Sequence, residues 1–104
     1  MNDDMLIYPQ HVMLHQRSGA LALAWSDVGE HVLSGERLRA HCKCAGCEQG
    51  RRHGSPPQPD AAMRLERISP VGEIGLQLHF SDGHERGLFP WAYLRELALE
   101  GADQ

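Results

Sequence analysis

The sequence predicts an α+β domain, a small antiparallel β-sheet with two short helices. Three observations carry this. The runs Ala20–Trp25 and Ile74–Phe80 alternate large apolar residues with small or polar ones, the period of a strand with one buried face. Asp82-Gly83 stands just beyond the second run and is a strong hairpin signal. Trp91, Leu94, Leu97 and Ala98 recur at helical spacing behind Pro90. Strands joined by turns, with helices set beside the sheet, define the class.

Residues 1–10, polar and carrying Tyr8-Pro9, read as a flexible N-terminus. A first strand spans His11 to Gln16, and Arg17-Ser18-Gly19 turns the chain into Ala20–Trp25, where Leu21, Leu23 and Trp25 face inward. After Ser26-Asp27-Val28-Gly29 a third strand carries Glu30 to Leu33. Ser34 is a helix N-cap with Glu36 in the first turn, where the helix dipole favours a negative charge. Leu33 and Leu38 have the spacing of a hydrophobic staple. This helix, about two turns long by its rise, runs directly into Cys42.

Residues 48–62 are rich in Gly, Pro, Gln and Arg, with three prolines in Pro56-Pro57-Gln58-Pro59, and read as a disordered loop on which no apolar period can be drawn. Met63–Ile68 is a strand, Pro70–Gly72 a turn, and Ile74, Leu76, Leu78 and Phe80 share one face of the best strand signal. A two-residue Asp82-Gly83 turn returns the chain antiparallel over His84–Phe89. Pro90 sits in the first turn of the last helix and Gly101 is its C-cap. Residues 100–104 are a flexible C-terminus, which leaves one folded domain over 11–99.

Composition bounds the function. With 104 residues there is room for a single core, and a chain this short gains much from a metal clip. The net charge of −4, with one lysine (Lys43) against nine arginines, argues against nucleic acid as a partner. No apolar run has the length of a membrane span, and Met1-Asn2-Asp3-Asp4 does not open a signal peptide, so the expected location is cytoplasmic.

The cysteines are Cys42, Cys44 and Cys47 in Cys42-Lys43-Cys44-Ala45-Gly46-Cys47. An odd number cannot pair off within the chain, and a reducing compartment keeps thiols free, so the cluster reads as a metal site. Zinc takes thiolate and imidazole ligands in a tetrahedron, and this spacing lets one turn of backbone set three sulfurs around a point. The plainer alternative is three ordinary reduced thiols. Seven histidines can supply a fourth ligand. His41 is too close to Cys42, His53 lies in the Pro-rich loop, and strand geometry narrows the field to His79 and His84, both projecting from one face of the predicted hairpin, without choosing between them.

The segments Leu23-Ala24-Trp25-Ser26-Asp27, Leu38-Arg39, Cys42–Cys47, Phe80-Ser81-Asp82-Gly83-His84 and Trp91-Ala92-Tyr93-Leu94-Arg95, in that order over about residues 18–98, resemble the gamma-butyrobetaine hydroxylase-like N-terminal domain family. The resemblance implies a zinc ion held by Cys42, Cys44, Cys47 and His84. The chain departs from the family pattern at Lys43, where proline is common, and at Val28, inserted in the first Asp-Gly turn. Neither position is itself one of the four ligands.

Four protein ligands leave no open position, so the implied site is structural rather than catalytic. Related domains occur attached to iron–sulfur carriers, which makes a cluster-binding accessory protein the alternative. In some relatives an iron and 2-oxoglutarate-dependent oxygenase domain follows; its two-histidine, one-carboxylate triad has no counterpart here, since none of the seven histidines begins an H-x-D or H-x-E pair. Cys44-Ala45-Gly46-Cys47 has the C-x-x-C form of a thiol redox motif, but Cys42 crowds it. The expected role is a protein-interaction or accessory module whose protein partner the sequence does not name, with no nucleic-acid or membrane partner. Trp91 and Tyr93, or Arg37, Arg39 and Arg95, are the weaker candidates for its recognition surface.

Overall fold

The computed structural model describes residues 8–101 and is α+β. Its elements are β1 (His11–His15), β2 (Ala20–Trp25), β3 (Gly29–Leu33), α1 (Gly35–Ala40), α2 (Ala45–Arg52), β4 (Leu65–Val71), β5 (Gly75–Phe80), β6 (Leu88–Pro90) and α3 (Trp91–Gly101). The strands form two antiparallel sheets rather than the single one expected, in the orders β1-β2-β3 and β4-β5-β6. There are three helices where two were expected. Of the two termini, 1–10 and 100–104, most lies outside the described residues; Gln10 donates its N–H to the Ala24 carbonyl at 2.6 Å.

The sheets close over one core. Leu21, Leu23 and Trp25 of β2, Leu38 of α1, Leu76, Leu78 and Phe80 of β5, and Leu94 and Leu97 of α3 are buried in one cluster, and Cys42 and Cys47 belong to it. Each fully buried leucine contributes about 1.5–3 kcal/mol. The alternation in β2 and β5 thus places the large apolar residues inward as the sequence predicts, but β2 buries Ala20 and Ala22 on its other face too, and one residue of the second run faces out. Ile74 precedes β5 and is 57% exposed, because the turn after β4 lies at Gly72–Ile74 rather than Pro70–Gly72, with the Ile74 N–H bonded to the Val71 carbonyl at 3.0 Å. Pro70 stands inside β4, an edge strand, where its missing N–H need not break a ladder.

Ser34 caps α1, its Oγ accepting from the Arg37 N–H at 3.0 Å, and Leu33 and Leu38 are both buried as the staple requires. The expected loop over 48–62 needs correction at its start, because Glu48–Arg52 belong to α2. Arg51 secures that helix, reaching Glu48 at 3.1 Å and the Ala40 carbonyl at 2.8 Å. The helix closes with the Gly54 and Ser55 N–H groups on the Arg51 and Gly50 carbonyls. Among the described residues no helix is long and apolar enough to cross a membrane.

Candidate metal centre

Three local structures deliver four side chains to one point. Cys42 follows α1, with His41 as the C-cap of that helix, and lies at 0% exposure in the core. Its sulfur occupies space that Gly87 leaves open: a Cβ on Gly87 would meet the Cys42 sulfur at 2.8 Å and the Phe89 ring at 2.9 Å. Cys44 is the N-cap of α2 and Cys47 lies in that helix's first turn, buried. The cysteines are therefore set by a helix–helix junction rather than by a loop after a helix.

The fourth side chain arrives through a slip in the second hairpin. The return strand has the register a two-residue Asp82-Gly83 turn would give, pairing Gln77 with Leu88 and Leu76 with Phe89. The turn itself closes one residue early: the Phe80 carbonyl accepts from Gly83 and the Phe80 N–H donates to the His84 carbonyl, both at 2.9 Å. Gly83, at φ +85°, takes the left-handed position that a three-residue turn needs. The Leu78 N–H bonds the Gly87 carbonyl at 3.3 Å, so Glu85 and Arg86 stand together opposite His79 as a bulge. This offset moves His84 from the face of His79 to the face of Phe80, whose ring centroid is 6.4 Å from its own. The expectation that His79 and His84 share a face is corrected by it.

His84 Nε2 lies 3.2 Å from Cys42 Sγ, 3.6 Å from Cys44 Sγ and 3.8 Å from Cys47 Sγ. All four donor atoms fall within 4.8 Å of one another, and the group can hold a metal ion. A tetrahedral zinc with bonds of about 2.3 Å to sulfur and about 2.0–2.1 Å to nitrogen places sulfur and nitrogen about 3.6 Å apart. The observed separations bracket that value.

The electrostatics suit a cation. Burial pushes the Cys42 thiol up to about 12. Burial also opposes ionisation of Cys44, but the backbone N–H groups of Cys47 and Gly46 and hydrogen bonding with the neighbouring thiols outweigh it and hold that thiol below its ordinary value. Burial and then the Arg39 charge lower His84, which favours the neutral imidazole that ligates metals.

Arg39 and Asp82 frame the group, which sequence reasoning passed over by treating Asp82 as a turn residue and Arg39 as a surface charge. Asp82 Oδ1 accepts the His84 N–H at 3.0 Å and Oδ2 accepts Arg39 Nε at 2.9 Å. Arg39 Nη1 donates to Cys47 Sγ at 3.3 Å. The signal was available in the joint presence of Leu38-Arg39 and Asp82-Gly83-His84. Arg37 and Arg95 are also engaged within the chain, to the Leu97 carbonyl and to Asp27. Tyr93 stacks on Phe89 and donates its hydroxyl to the His41 carbonyl at 2.7 Å.

Comparison with known proteins agrees with this architecture. A protein of unknown function from Acidithiobacillus ferrooxidans, assigned to the DUF971 family and solved by crystallography, is 32% identical with a TM-score of 0.69, over 86% of this chain and 91% of its own. A protein solved by NMR in solution is 33% identical with a TM-score of 0.73, over 93% and 77% of the two chains. Another NMR structure is 26% identical with a TM-score of 0.69, over 99% and 77%. No curated protein matches significantly. The sequence model described as gamma-butyrobetaine hydroxylase-like, N-terminal, matches residues 12–95, and the chain belongs to that family.

Proposed function

We propose that this chain is a small cytoplasmic zinc-binding module, with one structural, non-catalytic zinc on Cys42, Cys44, Cys47 and His84, serving as a protein-interaction or accessory domain. The observation that carries the reading is the convergence of four donor atoms within 4.8 Å from segments far apart in sequence. That span suits a single ion. In an iron–sulfur cluster the ligands sit on different irons and are spread further by the iron–iron separation. Four protein ligands fill a tetrahedron and leave no position for a substrate or an activated water. Within this sequence no histidine begins the H-x-D or H-x-E pair of an oxygenase triad, so the activity in the family's name is not carried over.

Each residue has a defined share. Cys42 ties the ion to the core, Cys44 and Cys47 tie it to the start of α2, and His84 ties it to the hairpin of the second sheet. Metal analysis of protein purified without chelators tests the reading. A colourless protein with one zinc per chain is expected, and a brown protein with visible absorption would establish the iron–sulfur alternative instead. Capture of a protein partner by the wild type but not by Cys44→Ser would then assign the interaction role to the folded, metal-bound module.

A further inference from the structure

His79 is free of the metal group and is engaged in a different one. On the outer face of the second sheet His79 Nδ1 lies 2.8 Å from Glu85 Oε1, and His79 Nε2 lies 3.0 Å from Ser69 Oγ. An exposed carboxylate at neutral pH only accepts, so Glu85 fixes the ring proton on Nδ1. In the neutral imidazole Nε2 is then an acceptor, to which the Ser69 hydroxyl donates. Nucleophile to base and base to carboxylate, each on the appropriate ring nitrogen, is the arrangement that activates a serine in acyl-transfer sites.

The fold supplies the other parts. Arg67 pairs with His79 in register, and Ser69 pairs with Gln77, so Arg67 and Ser69 share the face of His79. Among the described residues no hydrogen bond or ion pair engages the Arg67 side chain. A concave pocket of about 420 Å³ opens beside His79 and Glu85, lined also by Glu66, Arg67, Phe80, Gly83 and His84, within the usual size of small-molecule sites; Ser69 stands outside its lining and reaches it through His79. The bulge that turns His84 toward the cysteines also brings Glu85 to His79, and the Gln77 side chain holds the Glu85 carbonyl at 2.5 Å.

We propose that Ser69 is a nucleophile toward small acyl esters, with His79 as its base, Glu85 as a positioning residue and Arg67 facing the developing oxyanion. This goes beyond the zinc reading and does not depend on it. Ser69 Oγ bonds to the carbonyl carbon as its proton passes to His79 Nε2. The bond to the leaving alkoxide breaks, and that oxygen takes the proton from Nε2. Water, deprotonated by the same nitrogen, then releases the acid and restores the serine.

The test is labelling of the intact, metal-loaded chain with an alkyl fluorophosphonate, in which Ser69 Oγ displaces fluoride, followed by peptide mass spectrometry. The adduct is expected on Ser69 and not on Ser18, Ser26, Ser34, Ser55 or Ser81, with acetyl transfer from p-nitrophenyl acetate to the same residue. His79→Gln is expected to slow labelling about a hundredfold, at unchanged metal content. Glu85→Gln should slow it less and should shift the ¹⁵N resonances of the His79 ring toward the other tautomer, which a merely structural role would not do. Labelling of Ser69 in the wild type no faster than that of Ser55, or a rate untouched by His79→Gln, overturns the proposal. Either result leaves the metal analysis unaffected.

Discussion

His84 Nε2 and Cys42 Sγ are 3.2 Å apart across a sequence separation of 42 residues. An ion bound between them closes a loop of that length, which in the chain-entropy picture removes about 4 kcal/mol from the unfolded state. For a domain whose whole stability is about 5–15 kcal/mol, that is a large share. Chelation, or Cys42→Ser, is therefore expected to lower the thermal midpoint by about 15–30 °C or to collapse NMR dispersion. An unchanged midpoint after complete metal removal would refute the structural role.

Arg39 should tune the site without building it. Its guanidinium joins Asp82 to Cys47 Sγ, an outer-shell contact of the kind that orients and electronically balances ligands. Arg39→Met keeps much of the aliphatic stem and removes both bonds. A fall of about 10–100-fold in metal affinity is expected, read by competition with a chromophoric chelator, with the fold retained in the loaded protein.

Metal binding should be coupled to proton release with a definite sign. In the metal-free fold, burial holds the Cys42 thiol up to about 12, from an ordinary 9.0, so at neutral pH it is protonated and must lose its proton to ligate. Calorimetry in buffers of different ionisation enthalpy should show release of about one proton or more per ion at pH 7, and affinity should fall as pH falls. The metal-free fold behaves oppositely. A raised thiol pKa stabilises it fully below the ordinary value, and that contribution is lost as pH rises from 9.0 toward 12.

The contact between Gly87 and Cys42 predicts an unusually sensitive glycine. Gly87→Ala sets a methyl 2.8 Å from the sulfur and 2.9 Å from the Phe89 ring, both held in the core. Overpacking of this kind costs about 1–3 kcal/mol, and here the yielding group is a ligand. Denaturant unfolding should register that loss together with weaker metal retention, whereas Gly46→Ala, with open space around its added carbon, should show neither.

Much of this was legible in the sequence, and the exceptions have physical causes. Alternation located β2 and β5, although only β5 buries side chains on a single face while β2 also buries Ala20 and Ala22 opposite Leu21, Leu23 and Trp25, and the Ser34 cap with its Leu33–Leu38 staple located α1. The helix α2 was hidden by Gly46 and Gly50, poor helix formers within eight residues, although Arg51-Arg52-His53 followed by Gly54 carries a C-terminal signature. The separation into two sheets is a long-range choice that strand periodicity does not encode. The three cysteines were visible as a group, while the choice between His79 and His84 turned on a one-residue offset at the hairpin tip, which depends on packing of the whole sheet rather than on the Asp82-Gly83 pair alone.

That offset can be tested directly. With the two-residue turn the Asp-Gly pair favours, His79 and His84 would lie on one face and could exchange as ligands. With the turn closing between Phe80 and His84, only His84 reaches the sulfurs, and His79 is committed to Ser69 and Glu85 on the far face. His79→Ala should therefore retain one metal equivalent per chain and an unfolding midpoint close to that of the wild type. His84→Ala should lose the ion, or bind it more weakly by several orders of magnitude, and His79 should not rescue it. Equal metal loss in the two variants would show that the hairpin takes the regular register in solution.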